Sequence, residues 1–369
     1  MRATKVKFLN KDKSLFFSTL RTQVDLYFTE QSIPKTGGWL LISKAIFMLA
    51  LYVIPYSLLI SNWFSPWEML GLAIIMGIGI AGVGMSVMHD ANHGSFSSKG
   101  WVNEVFGGTM YLLGGSVYNW KAQHNHLHHT FTNILHVDED ITGKPFLRLS
   151  YQDRLKKMHR YQHWYAFILY GLMTFSFFAK DFRVIFQAIR PAKDAEQQYP
   201  KAELVKLLIS KMVYFIVICL IPLLYTDLVF WQWLVGFVVM HFTAGIILST
   251  IFQLAHVVEG VSQPAPDEQG NIYNAWAIHQ MHTTANFSGN QLLSWYIGGL
   301  DYQVEHHLFP NISHVHYRSI SKIVQRTAEE FGIPYNSKPS FIHAVGSHIR
   351  MLRSMGRTTE TELVLVQQP

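Results

Sequence analysis

Apolar residues gather into four long blocks, at about 39–60, 67–88, 207–225 and 230–253. Each has close to the 20 or so residues that an α-helix needs to cross about 30 Å of hydrocarbon. The polar breaks within each pair, "SNWFSP" and "TDLVF", are short and contain no Lys or Arg, so each pair predicts a helical hairpin. A fifth apolar stretch, "WYAFILYGLMTFSFFA" at 164–179, is shorter and rich in aromatic residues. Its aromatic content and the flanking His163 and Lys180 predict an interfacial or re-entrant helix rather than a crossing. "LLSWYIGGL" at 292–300 is too short to span and is expected along the interface.

Composition agrees with a membrane protein: hydrophobic residues are 49% of the 369 and charged residues only 15%. The sole cysteine, Cys219, lies in an apolar run, which leaves no disulfide framework and no thiolate zinc site. The N-terminus lacks the pattern of a cleavable signal peptide, so insertion is expected to use the internal helices. Of thirty Lys and Arg, seven precede residue 39, fourteen lie between 89 and 206, and seven follow 256. Lys44 and Lys211, near the first ends of the first and third blocks, are expected to snorkel to the same side. All thirty can then be cytoplasmic. The net charge of +6 reads as this sorting signal and as attraction to anionic headgroups, not as a nucleic-acid surface.

The chain's nineteen histidines concentrate after the second and fourth blocks. "HDANH" supplies His89 and His93, four residues apart and so on one helical face. "HNHLHH" supplies His124 and His128 at i and i+4 with His129 adjacent, whereas His126 points elsewhere on a helix. His256 follows the fourth block, and "QVEHH" supplies His306 and His307. Hairpin parity places all these clusters on the cytoplasmic face, provided 164–179 does not cross. Imidazole suits zinc, copper, iron and nickel, and eight rings exceed what one ion can use, so two ions are inferred. The chain has no HExxH, against a zinc peptidase, and almost no polar groups inside the blocks besides His241 and Lys211, against a metal transporter. Two redox metals at a membrane surface point to oxygen activation on a lipid-like substrate.

The three clusters, with "HTFTNILHVDEDI" after the second and "HHLFPNISHVHY" around the third, resemble the membrane fatty acid desaturases, whose boxes follow the order HxxxH, HxxxHH and QxxHH. The resemblance covers about residues 85–317. It implies an all-α integral membrane protein: four transmembrane helices in two hairpins and a cytoplasmic helical cap holding a di-metal site. The expected organisation is a cytoplasmic N-terminal segment 1–38, a single membrane domain 39–353 and a polar tail 354–369. It also implies that His89, His93, His124, His128, His129, His306 and His307 hold two non-haem irons, with His256 matching a further ligand. Gln303 stands where related acyl-CoA Δ9 enzymes carry histidine, as in front-end desaturases. It and Asp90, Asp140 and Glu305 are candidates to ligate metal or to hydrogen-bond the ligand imidazoles; Asp138 is a candidate for such a hydrogen bond only, and an ordinary solvated acid is at least an equal alternative for it.

"WAIHQMHTTANF" resembles a further family segment through Trp276, Gln280 and Asn286, whereas His279 and His282 do not match ligands there. No catalytic side chain beyond the metal centre is expected. The implied reaction is oxygen-dependent formation of a cis double bond in a fatty acyl chain, carried by coenzyme A or by a lipid, among membrane lipids. With no HPGG haem motif in the chain, electrons are expected from a separate donor such as ferredoxin or cytochrome b5 with its reductase. The alternatives are a related di-iron hydroxylase or ketolase and a non-enzymatic metal-binding membrane protein.

Overall fold

A computed structural model describes residues 6–11, 13–189 and 199–358. Residues 359–369 of the expected polar tail lie outside them. Among the described residues four helices are long and apolar enough to cross a membrane: Gly38–Ile60, Pro66–Asn92, Lys201–Tyr225 and Phe230–His256. They coincide with the four blocks, and the protein is an all-helical membrane protein whose strands are two-residue pairs. The segment 164–179 is not a single helix. It divides into Gln162–Tyr170 and Met173–Ile189, with a break at Gly171–Leu172.

The chain folds as two compact units. One comprises Gly38–Lys121 and Phe167–Thr250 and carries most of the spans. The first span buries Leu41, Ala45, Met48, Tyr52 and Pro55, spaced three or four apart, and so presents one helical face inward. Its outer positions, among them Trp39, Ile46, Phe47, Val53 and Ile54, are exposed, as lipid contact requires. The second span begins with Pro66 behind Ser65, whose backbone N and Oγ both donate to Glu68 Oε2 at 2.8 Å. Glycine is required within it. A Cβ at Gly79 would stand 2.8 Å from the Leu51 carbonyl carbon, and one at Gly77 would stand 2.5 Å from Met240 O. Small residues thus let backbones approach where van der Waals packing must hold helices together. The two hairpin loops are tied by Asn62 Nδ2 to Asp227 Oδ2 (2.8 Å) and Asp227 N to Asn62 Oδ1 (3.1 Å).

Lys211 departs from the snorkelling expectation. It is 8% exposed, pairs with Asp181 at 2.6 Å and donates to Gly114 O. Asn119 Nδ2 donates to the other Asp181 oxygen at 2.6 Å. The cation found a buried partner because Met173–Ile189 carries a carboxylate beside it, a neighbour that hydropathy does not register. Lys44 is buried as well.

The second unit holds the N-terminal segment, residues 122–166 and the chain from 251 onward. The helix Phe16–Gln31 buries Phe16, Leu20, Val24 and Phe28, four residues apart. This stripe packs with Met281, Val304, Leu308, Ile320 and Val324 in a core shared by Trp276–Thr283, Gln303–Leu308 and Tyr317–Glu330. Lys7–Phe8 pairs in parallel with Asn271–Ile272, and Asn286–Phe287 with Ser337–Lys338. These pairs pin the loops that flank the third histidine box.

Candidate metal centre

The second box does not sit on an α-helix. Ala122–His128 is π-helical, between an α-turn at Val117–Lys121 and another at His129–Phe131. Widening the turn brings residues five apart onto one face, a local distortion that recurs at functional sites. His124 and His129 Nε2 atoms stand 3.2 Å apart, and the His124 and His128 rings stack at 5.3 Å. His124, His128 and His129 are buried, whereas His126 is exposed.

Two elements distant in sequence bring further imidazoles to this box. His128, His256 and His307 each offer a ligand nitrogen, all within 4.8 Å of one another. His129 stacks on His307 at 4.3 Å and lies edge-on to His306 at 4.6 Å. In the other unit, His89 and His93 follow a π-turn at Gly84–Met88, with ring centroids 4.8 Å apart and Trp120 against both, at 5.8 and 5.9 Å. Asp90 beside them is buried.

Each ligand imidazole must expose one lone pair, and its other nitrogen must be held. His128 Nδ1 donates to Asp138, at 3.1 and 3.2 Å from its two oxygens, with Asp140 Oδ2 at 3.3 Å. His256 Nδ1 donates to Thr283 O at 3.2 Å, and His307 Nδ1 to Gln280 Oε1 at 2.8 Å. His306 Nδ1 lies 3.1 Å from Tyr317 OH. The buried Nε2 atoms of His256 and His307 have no hydrogen-bond partner. Leaving a buried polar atom unsatisfied costs about 1–3 kcal/mol, and a metal ion taking the lone pair removes that cost. This donor set fits a divalent transition metal: several buried imidazoles, each with a fixed outer nitrogen.

Electrostatics separate the rings. Burial holds His307 well below its ordinary value, and the neighbouring imidazoles add to the effect, so it is neutral as a ligand must be. Burial opposes protonation of His128 as well, but the Asp138 and Asp140 carboxylates outweigh it and raise the ring to about 9. Asp138 is wholly buried, unlike the solvated acid that was its equal alternative. The loop after the second box wraps it: Asn133 N donates to Oδ2 at 2.8 Å and Asp140 N to Oδ1 at 3.0 Å. Asn133 takes a left-handed backbone, φ 59°, and its Nδ2 donates to His256 O at 2.8 Å.

The remaining candidates divide. Asp140, through Oδ1, accepts from Gln123 at 2.9 Å, and it forms a ligand-capable group with His124 and His128. Glu305 is buried but engages Asn286 Nδ2 at 2.7 Å and Tyr335 OH at 2.9 Å instead of an imidazole. Burial pushes its carboxyl up to about 7 against those hydrogen bonds. Gln303 is buried, and its Nε2 has no hydrogen-bond partner. His279 lies outside the ligand-capable groups and points Nε2 at Thr132 O, 2.9 Å away. Sequence reasoning gave Gln280 and Thr283 no part in holding the ligands. The available signal was the cluster of polar residues in "HQMHT", the C-terminal part of the short helix Trp276–Thr283, and it named no partners.

Buried imidazoles that could hold a metal ion, gathered in an all-helical membrane protein, define the class of this molecule. The chain belongs to the fatty acid desaturase family, whose sequence model matches residues 65–339. It is 34% identical over 365 residues to an sn-1 linoleoyl-lipid 6-desaturase of Synechocystis sp., covering 97% of this chain and all of that one. It is 33% identical to a protein of the same name from Arthrospira platensis, covering 95% of each. An acyl-lipid (8-3)-desaturase of Physcomitrium patens is 32% identical over 96% of this chain and 74% of its own length. The protein is therefore an enzyme, a fatty acid desaturase.

Proposed function

We propose that this enzyme uses dioxygen and two external electrons to introduce a cis double bond into the acyl chain of a membrane glycerolipid. Its metal centre would be two non-haem irons held by His89, His93, His124, His128, His129, His256, His306 and His307. The observation that carries the metal reading is the pair of buried, unpartnered Nε2 atoms on His256 and His307, whose Nδ1 atoms are both already engaged. Bound iron would supply the oxygen reduction and hydrogen removal that no side chain here is a strong enough acid or base to perform.

The chain's own residues do the rest. Asp138, Thr283 and Gln280 set the tautomers of His128, His256 and His307, and burial excludes water and keeps His307 neutral. Gln303 and the names of the relatives, which include two linoleoyl-lipid 6-desaturases, support a front-end enzyme acting on a lipid-bound chain that already has a double bond. The distribution of Lys and Arg supports a centre on the cytoplasmic face, where a separate donor such as ferredoxin or cytochrome b5 would deliver electrons.

The test is expression with a competent donor in a host whose lipids contain linoleate, followed by gas chromatography and mass spectrometry of the acyl chains. A product two hydrogens lighter, with the new bond on the carboxyl side of the old one, is expected. A product that gains oxygen would indicate a hydroxylase or ketolase. No new double bond across a range of acyl lipids would sink the reading.

A further inference from the structure

Away from the histidines, an open cavity of about 730 Å³ is lined by Lys156, Lys157, Arg160, Tyr161, Gly356 and Arg357, with no carboxylate among its lining residues. Lys157–Tyr161 is a 3₁₀-helix, in which residues three apart eclipse one another, so Lys157 and Arg160 share one edge. Arg357 is added from beyond the C-terminal helix Phe341–Met355. Lys157, Arg160 and Arg357 are exposed and form no ion pair among the described residues. Lys156 only donates to a backbone carbonyl, Pro145 O, at 2.9 Å.

The fold holds this arrangement firmly. Arg148, 1% exposed, donates to Met355 O at 2.5 Å, Thr358 O at 2.8 Å and Asp153 O at 2.7 Å, and also to Tyr151 O. Gln162 Nε2 adds a bond to Leu352 O at 2.8 Å. Gly356 permits the contact, because a Cβ there would fall 2.0 Å from His159 O. Tyr161, which lines the cavity, is exposed, as are Met158 and Trp164 nearby in sequence, and exposed aromatic side chains of this kind sit at headgroup level. His163 is held below its ordinary value first by burial and then by Arg353 and Arg357, which records the positive field.

Charge retained on one side of a membrane explains cations scattered over a face. It does not explain four of them around one concavity, fixed by a buried arginine and lined as well by the exposed Tyr161. We propose that this cavity is a binding site for the phosphate of an anionic membrane lipid, with the rim contacting the upper part of its chains. The site does not depend on the metal chemistry.

The test uses the full chain purified in detergent, titrated by native mass spectrometry with short-chain phosphatidylglycerol, phosphatidylcholine and inorganic phosphate. Phosphatidylglycerol should bind at least tenfold more tightly than either of the others. A Lys157→Ala/Arg160→Ala double variant should lose about thirtyfold of that affinity, at about fivefold for each cation near an anionic headgroup. Lys322→Ala, an exposed lysine elsewhere in the same unit, should bind like the parent. Unchanged phosphatidylglycerol binding in the double variant, or equal binding of phosphatidylcholine, would overturn the proposal. Inorganic phosphate binding as tightly as phosphatidylglycerol would mean a site for soluble anions and would overturn it too.

Discussion

His124 and His129 face each other with their Nε2 atoms 3.2 Å apart because the turn between them is π-helical. An α-helix would rotate two residues five apart by well over one turn, whereas the wider turn puts both with His128 on one side. His126 is left outside. His128→Ala and His129→Ala should therefore abolish desaturation and lower bound iron, measured by metal analysis of purified protein, while His126→Ala largely preserves both. Equal loss in all three variants would refute the assignment.

Asp138 acts through His128. Asp138→Asn removes the carboxylate that receives His128 Nδ1 and two backbone amides. Loss of such an outer partner typically weakens metal binding about 10–100-fold, and a chelator competition series should read a change of that order. Asp140→Asn, at a partly exposed carboxylate, should have a smaller effect.

Gln280 has the same task at His307, with Thr132 Oγ1 also 2.9 Å from its Oε1. Gln280→Ala should weaken iron binding and lower kcat with little change in KM. Gln280→Glu, which keeps the acceptor, should restore much of the iron content. If both variants load iron like the parent, His307 is oriented by packing alone.

The Lys211–Asp181 pair is buried on both sides. Removing one member of such a pair strands the other charge, at a typical cost of about 3–5 kcal/mol. Lys211→Met should thus lower the apparent Tm sharply, and Lys211→Met/Asp181→Leu should recover most of the loss. A single variant as stable as the parent would mean that water reaches the pair.

His348 is buried, its Nδ1 donating to Val257 O at 2.7 Å, and burial pulls its value down to about 4. The unfolded chain binds a proton there from about pH 6.5 downward while the fold resists it until about 4, so the ring's contribution is complete above 6.5 and is lost as pH falls. Each such group sets a limiting slope of about 1.4 kcal/mol per pH unit. Between pH 6.5 and 4.5 the apparent Tm of His348→Gln should fall less steeply than that of the parent. Parallel curves would refute the buried, neutral assignment.

Much of this protein was legible along the chain. Spans are recognisable because hydrophobicity and length are local properties that the bilayer tests one helix at a time, and all four blocks became helices. The histidine spacings identified which imidazoles could act together, and with their flanking segments they carried the family resemblance. The buried ion pair at Lys211, by contrast, needed a carboxylate from another helix. Asp138 is ionisable and lies in a polar loop, so only the wrapping of that loop could show that it is buried. The tautomer of His307 rests on Gln280, 27 residues earlier, and that of His256 on a carbonyl at Thr283. Even the turn of the second box was a tertiary outcome: its letters fit an α-helix, and the π-turn is the geometry in which its buried rings share one face. Hydrophobic period and residue type are written locally, but which nitrogen of a ring is free depends on groups that only folding brings within hydrogen-bond reach.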